Sequence, residues 1–478
     1  MKKGPYFMEI DRLKGSKPNI LLIVSDDHGY GDMSFLNVND DLQTPNLDRL
    51  RASGIFFENA YVTAPICSPS RAGLIVGNHQ QRWGARWFGN SHFAPKDYMT
   101  IPQILHKANY RTGYFGKVHY GPDEEGSRAC PEKHGFDESF YGLAAYSYGR
   151  LHYLEHAVDA FEKYGEKSNY VGMNAMYENG RKVDCKNFLT EEFTNRAIDF
   201  IDKTQQQPFF CMLAYNAVHN FTWQLPKEEL EKRGLPAIED FDPTTADYID
   251  WYDGVITPNL PNGRAYYLAQ LELMDEHIGR LLDYLKAKKL RENTLVIYVT
   301  DNGGSPCNYG SNAPLHGSKY SLYEGGIRVP YILSWPGVLK ENQQMQEMVS
   351  TLDFMPTMAY LAGVDPREYK TDGLNLFETI KDKKGHQSLY FDTGFQWSLR
   401  QGDWKLRCVT QEEGASARES LLKVEHTDIG QPGKSLVHLS ASLDESPNAN
   451  LIEKEEDLAK KMEADFLHWQ EKITNNKY

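Results

Sequence analysis

The chain has 478 residues, with 52 lysines and arginines against 66 aspartates and glutamates, a formal net charge of −14, and 40% apolar and 12% aromatic residues. That is the composition of a folded chain, and its acidic balance excludes a broad basic face for nucleic acid while allowing a small anionic substrate held by local cations. No apolar run approaches the roughly 18 residues of a membrane helix, and the first residues carry no signal-peptide core, so the sequence as written reads as cytoplasmic, or periplasmic if an export signal was trimmed.

Asn19 to Ser25 is a continuous apolar run after Pro18, the pattern of a strand buried on both faces. Thr44-Pro45 then opens a short helix, with Thr44 as its N-cap, Leu47 and Leu50 facing inward and Gly54 closing it. Pro69 suits the first position of a second helix that Gly77 terminates. The tyrosine-rich stretch 141–188 has no clear period and reads as an insertion. Thr190 caps a helix carrying Phe193, Ala197 and Ile201, and Phe209 to Ala214 is a second buried strand. A helix over 264–288 sets Leu271, Met274, Ile278, Leu282 and Leu285 on one face, and Leu295 to Thr300 is a third strand.

Strands alternating with helices predict an α/β fold built on a large, mostly parallel sheet sandwiched by helices, with ligands beyond the carboxyl ends of its strands. After about residue 385 the texture changes. Ser388 to Asp392, Trp397 to Arg400 and Trp404 to Val409 are short strands between turns, and Leu458, Met462, Phe466, Trp469 and Ile473 mark a final helix. The expected division is a catalytic domain over 1–384 and a small α+β subdomain over 385–478, an antiparallel sheet with one packed helix.

Asp26-Asp27 follows the first strand and Asp301-Asn302 the third, an oxygen-rich set suited to Ca²⁺ or Mg²⁺, although each pair alone also reads as turn chemistry. Cys67-Ser-Pro-Ser-Arg71 places a cysteine at the positive end of a helix, where exposed N–H groups favour an anion. A plain thiolate is the generic reading there, and it gives no reason for Pro69 or Arg71. Six scattered cysteines do not form a disulfide framework. His79, Arg82 and Trp83, with Arg86 and Trp87, suit either a sugar pocket or core packing, and Glu324 and Arg328 suit an internal salt bridge.

The pentapeptide Cys67–Arg71 resembles the signature of the type I, formylglycine-dependent sulfatases of the alkaline phosphatase superfamily. The resemblance extends through Ser25-Asp26-Asp27-His-Gly-Tyr-Gly-Asp32, Gly113-Tyr-Phe-Gly-Lys117-Val-His119, Val299-Thr-Asp301-Asn-Gly-Gly304, Tyr323-Glu-Gly-Gly-Ile-Arg-Val-Pro330 and Gly402-Asp-Trp-Lys-Leu406. It implies an alkaline-phosphatase-like fold and hydrolysis of a sulfate ester, on a small molecule or a sulfated oligosaccharide. It implies further that a formylglycine-generating enzyme oxidises Cys67, whose hydrated aldehyde is the nucleophile, and that Asp26, Asp27, Asp301 and Asn302 bind Ca²⁺, or Mg²⁺. Arg71, Lys117, His119, His219 and Lys319 match the family's remaining catalytic positions. Val118, Val218 and Asn220 depart from residues common in the family beside these groups. The competing readings are a phosphoester or phosphonate-ester hydrolase of the same superfamily, and a non-catalytic anion- or sugar-binding protein whose Cys67 is never converted.

Overall fold

The apolar run Asn19–Ser25 forms β1, buried along its whole length. The following strands are β2 (Gly54–Phe57), β3 (Ala60–Tyr61), β4 (Arg111–Val118), β5 (Glu138–Leu143), β6 (Met176–Glu178), β7 (Arg181–Val183), β8 (Phe209–Ala214), β9 (Thr294–Thr300), β10 (Tyr331–Ser334), β11 (Gln343–Met345) and β12 (Val349–Ser350). The structure is a computed structural model and describes residues 10–121, 124–144, 149–204, 206–242, 244–251 and 259–475.

Ten strands make one sheet in the order β11-β2-β10-β9-β1-β8-β4-β5-β6-β7, and the short β3 and β12 pair separately. Its centre, β9-β1-β8-β4-β5, is parallel throughout, with β1 registered on β8 at Ile20↔Phe210 and on β9 at Ile20↔Leu295. Ile20, Leu22 and Val24 pack on one face with Leu74, Ile75 and Val76, while Leu21 and Ile23 pack on the other with Phe193, Ala197, Met274 and Ile278. Successive side chains of a strand point to opposite faces, so a sheet covered on both sides needs apolar residues at consecutive positions. Each such side chain contributes about 1.5–3 kcal/mol when fully buried. Among the described residues no helix is long and apolar enough to cross a membrane.

The last part of the chain forms a separate antiparallel sheet, β13 (Ser388–Asp392), β14 (Gln396–Gln401), β15 (Trp404–Val409) and β16 (Gly433–His438), in that order. The helix Glu456–Thr474 lays Met462 and Phe466 on Leu399, Leu406 and Leu436, with the Phe466 ring stacked on Trp397 at 4.2 Å. Sequence patterning missed β16 and the helix Glu412–Val424. Within that helix only Gly414 and Leu421 are buried, so it carries almost no apolar period to read.

Several local expectations need correction. Thr44 is the N-cap residue of the helix Pro45–Ala52, as expected, but its hydroxyl bonds Ser34 and does not cap; the orphan N–H groups of Asn46 and Leu47 go to Asp275 on the helix Gly263–Ala287, at 3.0 and 2.8 Å. Gly54 does not close that helix; it opens β2, where a Cβ would sit 2.2 Å from the Leu333 carbonyl oxygen. The helix after Ile66 begins at Cys67, two residues before Pro69, and ends at Gly77 in the left-handed region (φ 64°). Thr190 lies inside the helix Leu189–Lys203 and does not cap it.

Glu324 and Arg328 approach to 3.6 Å, yet the main partners of Glu324 come from the small sheet. Its carboxylate receives Lys405 at 2.9 Å, Arg400 at 3.1 Å and the Tyr61 hydroxyl at 2.6 Å, and Lys405 also reaches Glu445 at 3.0 Å. The Tyr323–Pro330 and Gly402–Leu406 segments are therefore two halves of one buried ion network that joins the sheets.

Candidate active site

Four neighbouring parallel strands, β9, β1, β8 and β4, end at one rim. β1 delivers Asp26 and Asp27, β9 delivers Asp301 and Asn302, β8 leads into the turn bearing His219, and β4 carries Lys117 with His119 just beyond its end. Cys67 faces them from the first position of its helix, Arg71 stands one turn further on, and Lys319 comes from the loop between β9 and β10. All are buried, none more than 5% exposed.

The contacts interlock. Lys117 Nζ donates to Asp26 Oδ2 at 2.5 Å, Lys319 Nζ donates to Asp27 Oδ2 at 2.8 Å, and Arg71 Nε donates to Asp301 Oδ2 at 2.6 Å. Cys67 Sγ lies 3.5 Å from Asp26 Oδ1 and 3.8 Å from Asp27 Oδ1. Lys319 Nζ is also 3.3 Å from His219 Nε2. Asp27 holds a left-handed backbone (φ 57°), uncommon for a residue with a side chain, and its N–H is fixed by Asp301 Oδ1 at 3.2 Å.

Three carboxylates thus face three cations at full burial, a formally neutral set. Burial first, and the Asp301 carboxylate second, push Asp26 up to about 7 against the opposing pull of Lys117 and Arg71. Burial acts upward on Asp301 too, but Arg71, Lys117 and Lys319 outweigh it and hold that carboxyl below its ordinary range. Burial, then Asp301, raises the Cys67 thiol well above its usual value, so residue 67 as encoded is a thiol and not a thiolate. Burial, then the neighbouring cations, keeps both His119 and His219 well below the usual imidazole range, and both are neutral.

The donor set fits a hard divalent cation. Asn302 donates from Nδ2 to Asp27 Oδ1 at 2.7 Å, which leaves its Oδ1 buried with no hydrogen-bond partner among the described residues. Ligand atoms of Asp26, Asp27, Cys67 and His219 lie within 4.8 Å of one another. Asp301, outside that group of four, accepts from Arg71 on one oxygen and from the Asp27 N–H on the other.

The structure brings Asp26, Asp27, Cys67, Arg71, Lys117, His119, His219, Lys319, Asp301 and Asn302 together. It does not bring His79, Arg82 or Trp83 among them. Past Gly77 the chain turns away, and His79 and Arg82 line a separate cleft with Asp372, Tyr390 and Trp469, where Arg82 pairs with Asp372 at 2.5 Å. Trp83 donates from Nε1 to the His92 carbonyl at 2.7 Å.

Sequence reasoning missed the residues that hold these groups in place. The Tyr153 hydroxyl donates to the carbonyls of Asn216 and His219 at 3.0 Å, and Asn308 Nδ2 donates to the Val218 carbonyl at 2.6 Å. Gln396, on β14, brackets Ser321, two residues after Lys319: its Nε2 donates to the Tyr320 carbonyl at 2.6 Å and its Oε1 accepts from Leu322 N–H at 3.1 Å. These contacts join segments far apart in the chain, and no local spacing announces them.

A model of the sulfatase family matches residues 18–364. Over 445 residues the chain is 30% identical to arylsulfatase J of Mus musculus, covering 88% of this chain and 65% of that protein. Over 384 residues it is 30% identical to N-acetylgalactosamine-6-sulfatase of Homo sapiens, covering 76% and 66%. The chain therefore spans just under two thirds of the length of these curated relatives. Among solved structures, Ps i-CgsB in complex with k-i-k-neocarrahexaose superposes with a TM-score of 0.76 at 27% identity, covering 95% of this chain and 93% of that one.

Proposed function

The chain belongs to the sulfatase family, and from that premise we propose that it hydrolyses a sulfate ester carried on a carbohydrate. The observation that carries the reaction is the buried ring of three carboxylates and three cations around Cys67 at the ends of four parallel strands. The carbohydrate is supported by relatives: one is named for N-acetylgalactosamine 6-sulfate, and one solved structure holds a neocarrahexaose.

Two groups would complete the site: formylglycine at residue 67, made by a formylglycine-generating enzyme, would supply a hydrated aldehyde as nucleophile, and Ca²⁺ or Mg²⁺ held by Asp26, Asp27, Asp301 and Asn302 would supply Lewis-acid charge to the sulfate. The chain's own residues do the remaining work. Lys117 and Lys319 bind sulfate oxygens and offset the repulsion that slows attack on an anionic ester. Arg71 holds Asp301 through Nε at 2.6 Å and faces Asp26 with Nη2 at 3.6 Å, so it fixes the carboxylates beside residue 67. His219 Nε2 accepts a hydrogen bond from the Lys319 ammonium, which orients that ammonium to give its proton to the departing alcohol oxygen. Neutral His119, whose Nδ1 has no hydrogen-bond partner among the described residues, would serve as the base toward the hydroxyl of a hydrated aldehyde at residue 67. The C-terminal piece from about residue 385 serves as a module that braces the Lys319 loop.

The test compares 4-nitrophenyl sulfate with 4-nitrophenyl phosphate, using protein co-expressed with a formylglycine-generating enzyme and supplied with calcium. Faster sulfate turnover that disappears in Cys67→Ala supports the reading. Faster phosphate turnover moves the protein to the phosphoester branch, and silence toward both with residue 67 unconverted favours the binding-protein reading.

A further inference from the structure

The charged cluster can grip a sulfate group, but it presents carboxylates, ammonium groups, a guanidinium, imidazoles and an amide, and nothing apolar for the alcohol that carries the ester. An apolar surface stands directly beside it. The Phe88–Asn90 turn is fastened to the nucleophile's helix through Ser91, whose hydroxyl hydrogen-bonds the hydroxyl of Ser68, the residue after Cys67. Tyr320 follows Lys319, lies with its ring centroid 5.3 Å from the Lys319 Nζ, and donates its backbone N–H to Pro65, two residues before Cys67, at 2.8 Å. One loop that carries a catalytic group, and one turn tied to the helix that begins at Cys67, therefore also carry aromatic rings.

Those rings form one continuous wall. Phe88 lies 6.1 Å from Tyr320 and 5.6 Å from Trp87, centroid to centroid, and Trp87 lies 6.2 Å from Tyr320 and 4.8 Å, edge to face, from Phe395. Tyr320 is buried at the base of the wall, whereas Phe88 remains 45% exposed at its rim. A single exposed phenylalanine is ordinary on a protein surface, but one that continues a four-ring wall onto a buried anion site is not an isolated surface residue.

We propose that Trp87 and Phe88, backed by Tyr320 and Phe395, are the platform on which the ring of the leaving alcohol lies while its sulfate enters the cluster; this rests on the sulfatase reading. The occupant follows from the join between wall and cluster: a group reaching both must be an anionic ester on a ring with a flat apolar face, a pyranose or an aryl ring. The basic and aromatic residues nearer Cys67 in sequence, His79, Arg82 and Trp83, are engaged elsewhere, so recognition of the ring falls to the second half of that segment.

The experiment is calorimetric binding in the turnover-blocked Cys67→Ala protein with calcium present, using 4-nitrophenyl sulfate and inorganic sulfate as probes. Phe88→Ala and Trp87→Ala are made in that background, with Phe161→Ala, 58% exposed at another site, as control. Loss of a ring contact weakens nitrophenyl sulfate by about 5- to 10-fold, while sulfate affinity stays within about 2-fold and the control changes neither. Phe88 is exposed, so its variant keeps the proposal testable even if Trp87→Ala folds poorly. Equal weakening of both probes, no weakening of either, or a parent protein that binds nitrophenyl sulfate no better than sulfate would overturn the platform. Failure of the sulfatase reading is seen separately, as absence of sulfate-ester turnover by the converted wild-type protein.

Discussion

Replacing Lys405 by methionine removes one ammonium from the network joining the two sheets while keeping most of the side-chain stem. Lys405 has no exposed surface, and its Nζ sits 2.9 Å from Glu324 and 3.0 Å from Glu445. After the substitution Glu324 keeps Arg400 and Tyr61, but Glu445, 3% exposed, loses its ion-pair partner and is left against the Glu324 N–H alone. At an effective dielectric of about 20, two unit charges about 3 Å apart attract by roughly 5 kcal/mol. Part of that is returned because the ammonium no longer has to be desolvated, and broken buried pairs cost about 3–5 kcal/mol. The expected loss is about 3 kcal/mol, read as a lower urea midpoint by tryptophan fluorescence, since Trp397, Trp404 and Trp469 all lie against the small sheet's core. Adding Glu445→Gln to Lys405→Met removes the stranded carboxylate and restores at least about 1 kcal/mol. A loss below about 1 kcal/mol in the single variant, or strictly additive losses in the double, would refute the assignment of this network as the joint.

Other substitutions test separate links. Asp275→Ala strands the N–H groups of Asn46 and Leu47 at a buried helix start and costs about 2–4 kcal/mol; chemical denaturation measures it, and turnover per folded molecule stays at the wild-type level. Gln396→Ala frees the backbone on either side of Ser321 and lowers kcat on a sulfate ester by about 10-fold through a misplaced Lys319, with a much smaller change in KM. A kcat equal to wild type would show that Gln396 does not position that loop. His386 is half-buried and 2.7 Å from Asp353, and although desolvation pulls its pKa down, the Asp353 charge and hydrogen bond outweigh this and raise it above 6.5. Its stabilisation is therefore complete below the unfolded value of about 6.5 and is lost as pH rises through the higher folded value. Thermal midpoints of the wild type fall over that window, and His386→Asn removes this component; a fall of equal size in the variant would contradict it.

The central sheet was legible because parallel strands covered on both faces leave unbroken apolar runs, and Asn19–Ser25, Phe209–Ala214 and Thr294–Thr300 are such runs. The carboxylates of the candidate site were legible for a related reason, since Asp26-Asp27 and Asp301-Asn302 follow two of those runs at the strand ends. What stayed hidden depends on contacts across the fold. The cap of the Pro45 helix comes from Asp275, more than 200 positions away in sequence, so the local Thr44 signal pointed to the wrong side chain. His79, Arg82 and Trp83 have the chemistry of a sugar pocket and stand close to Cys67 along the chain, yet the left-handed turn at Gly77 separates them from it in space. The Glu324–Arg328 pairing was visible as an i,i+4 spacing, whereas its principal partners, Lys405 and Arg400, lie on a different sheet.

The most direct test of the central claim is to measure sulfate-ester turnover as a function of how much residue 67 has been converted. Graded co-expression of a formylglycine-generating enzyme yields preparations in which mass spectrometry of the residue-67 peptide reads the converted fraction, about 18 Da lighter than the cysteine form. The account predicts specific activity toward 4-nitrophenyl sulfate that rises in proportion to that fraction and extrapolates to zero at no conversion. Turnover that is independent of conversion, or full conversion without turnover of any sulfate ester tested, would contradict it.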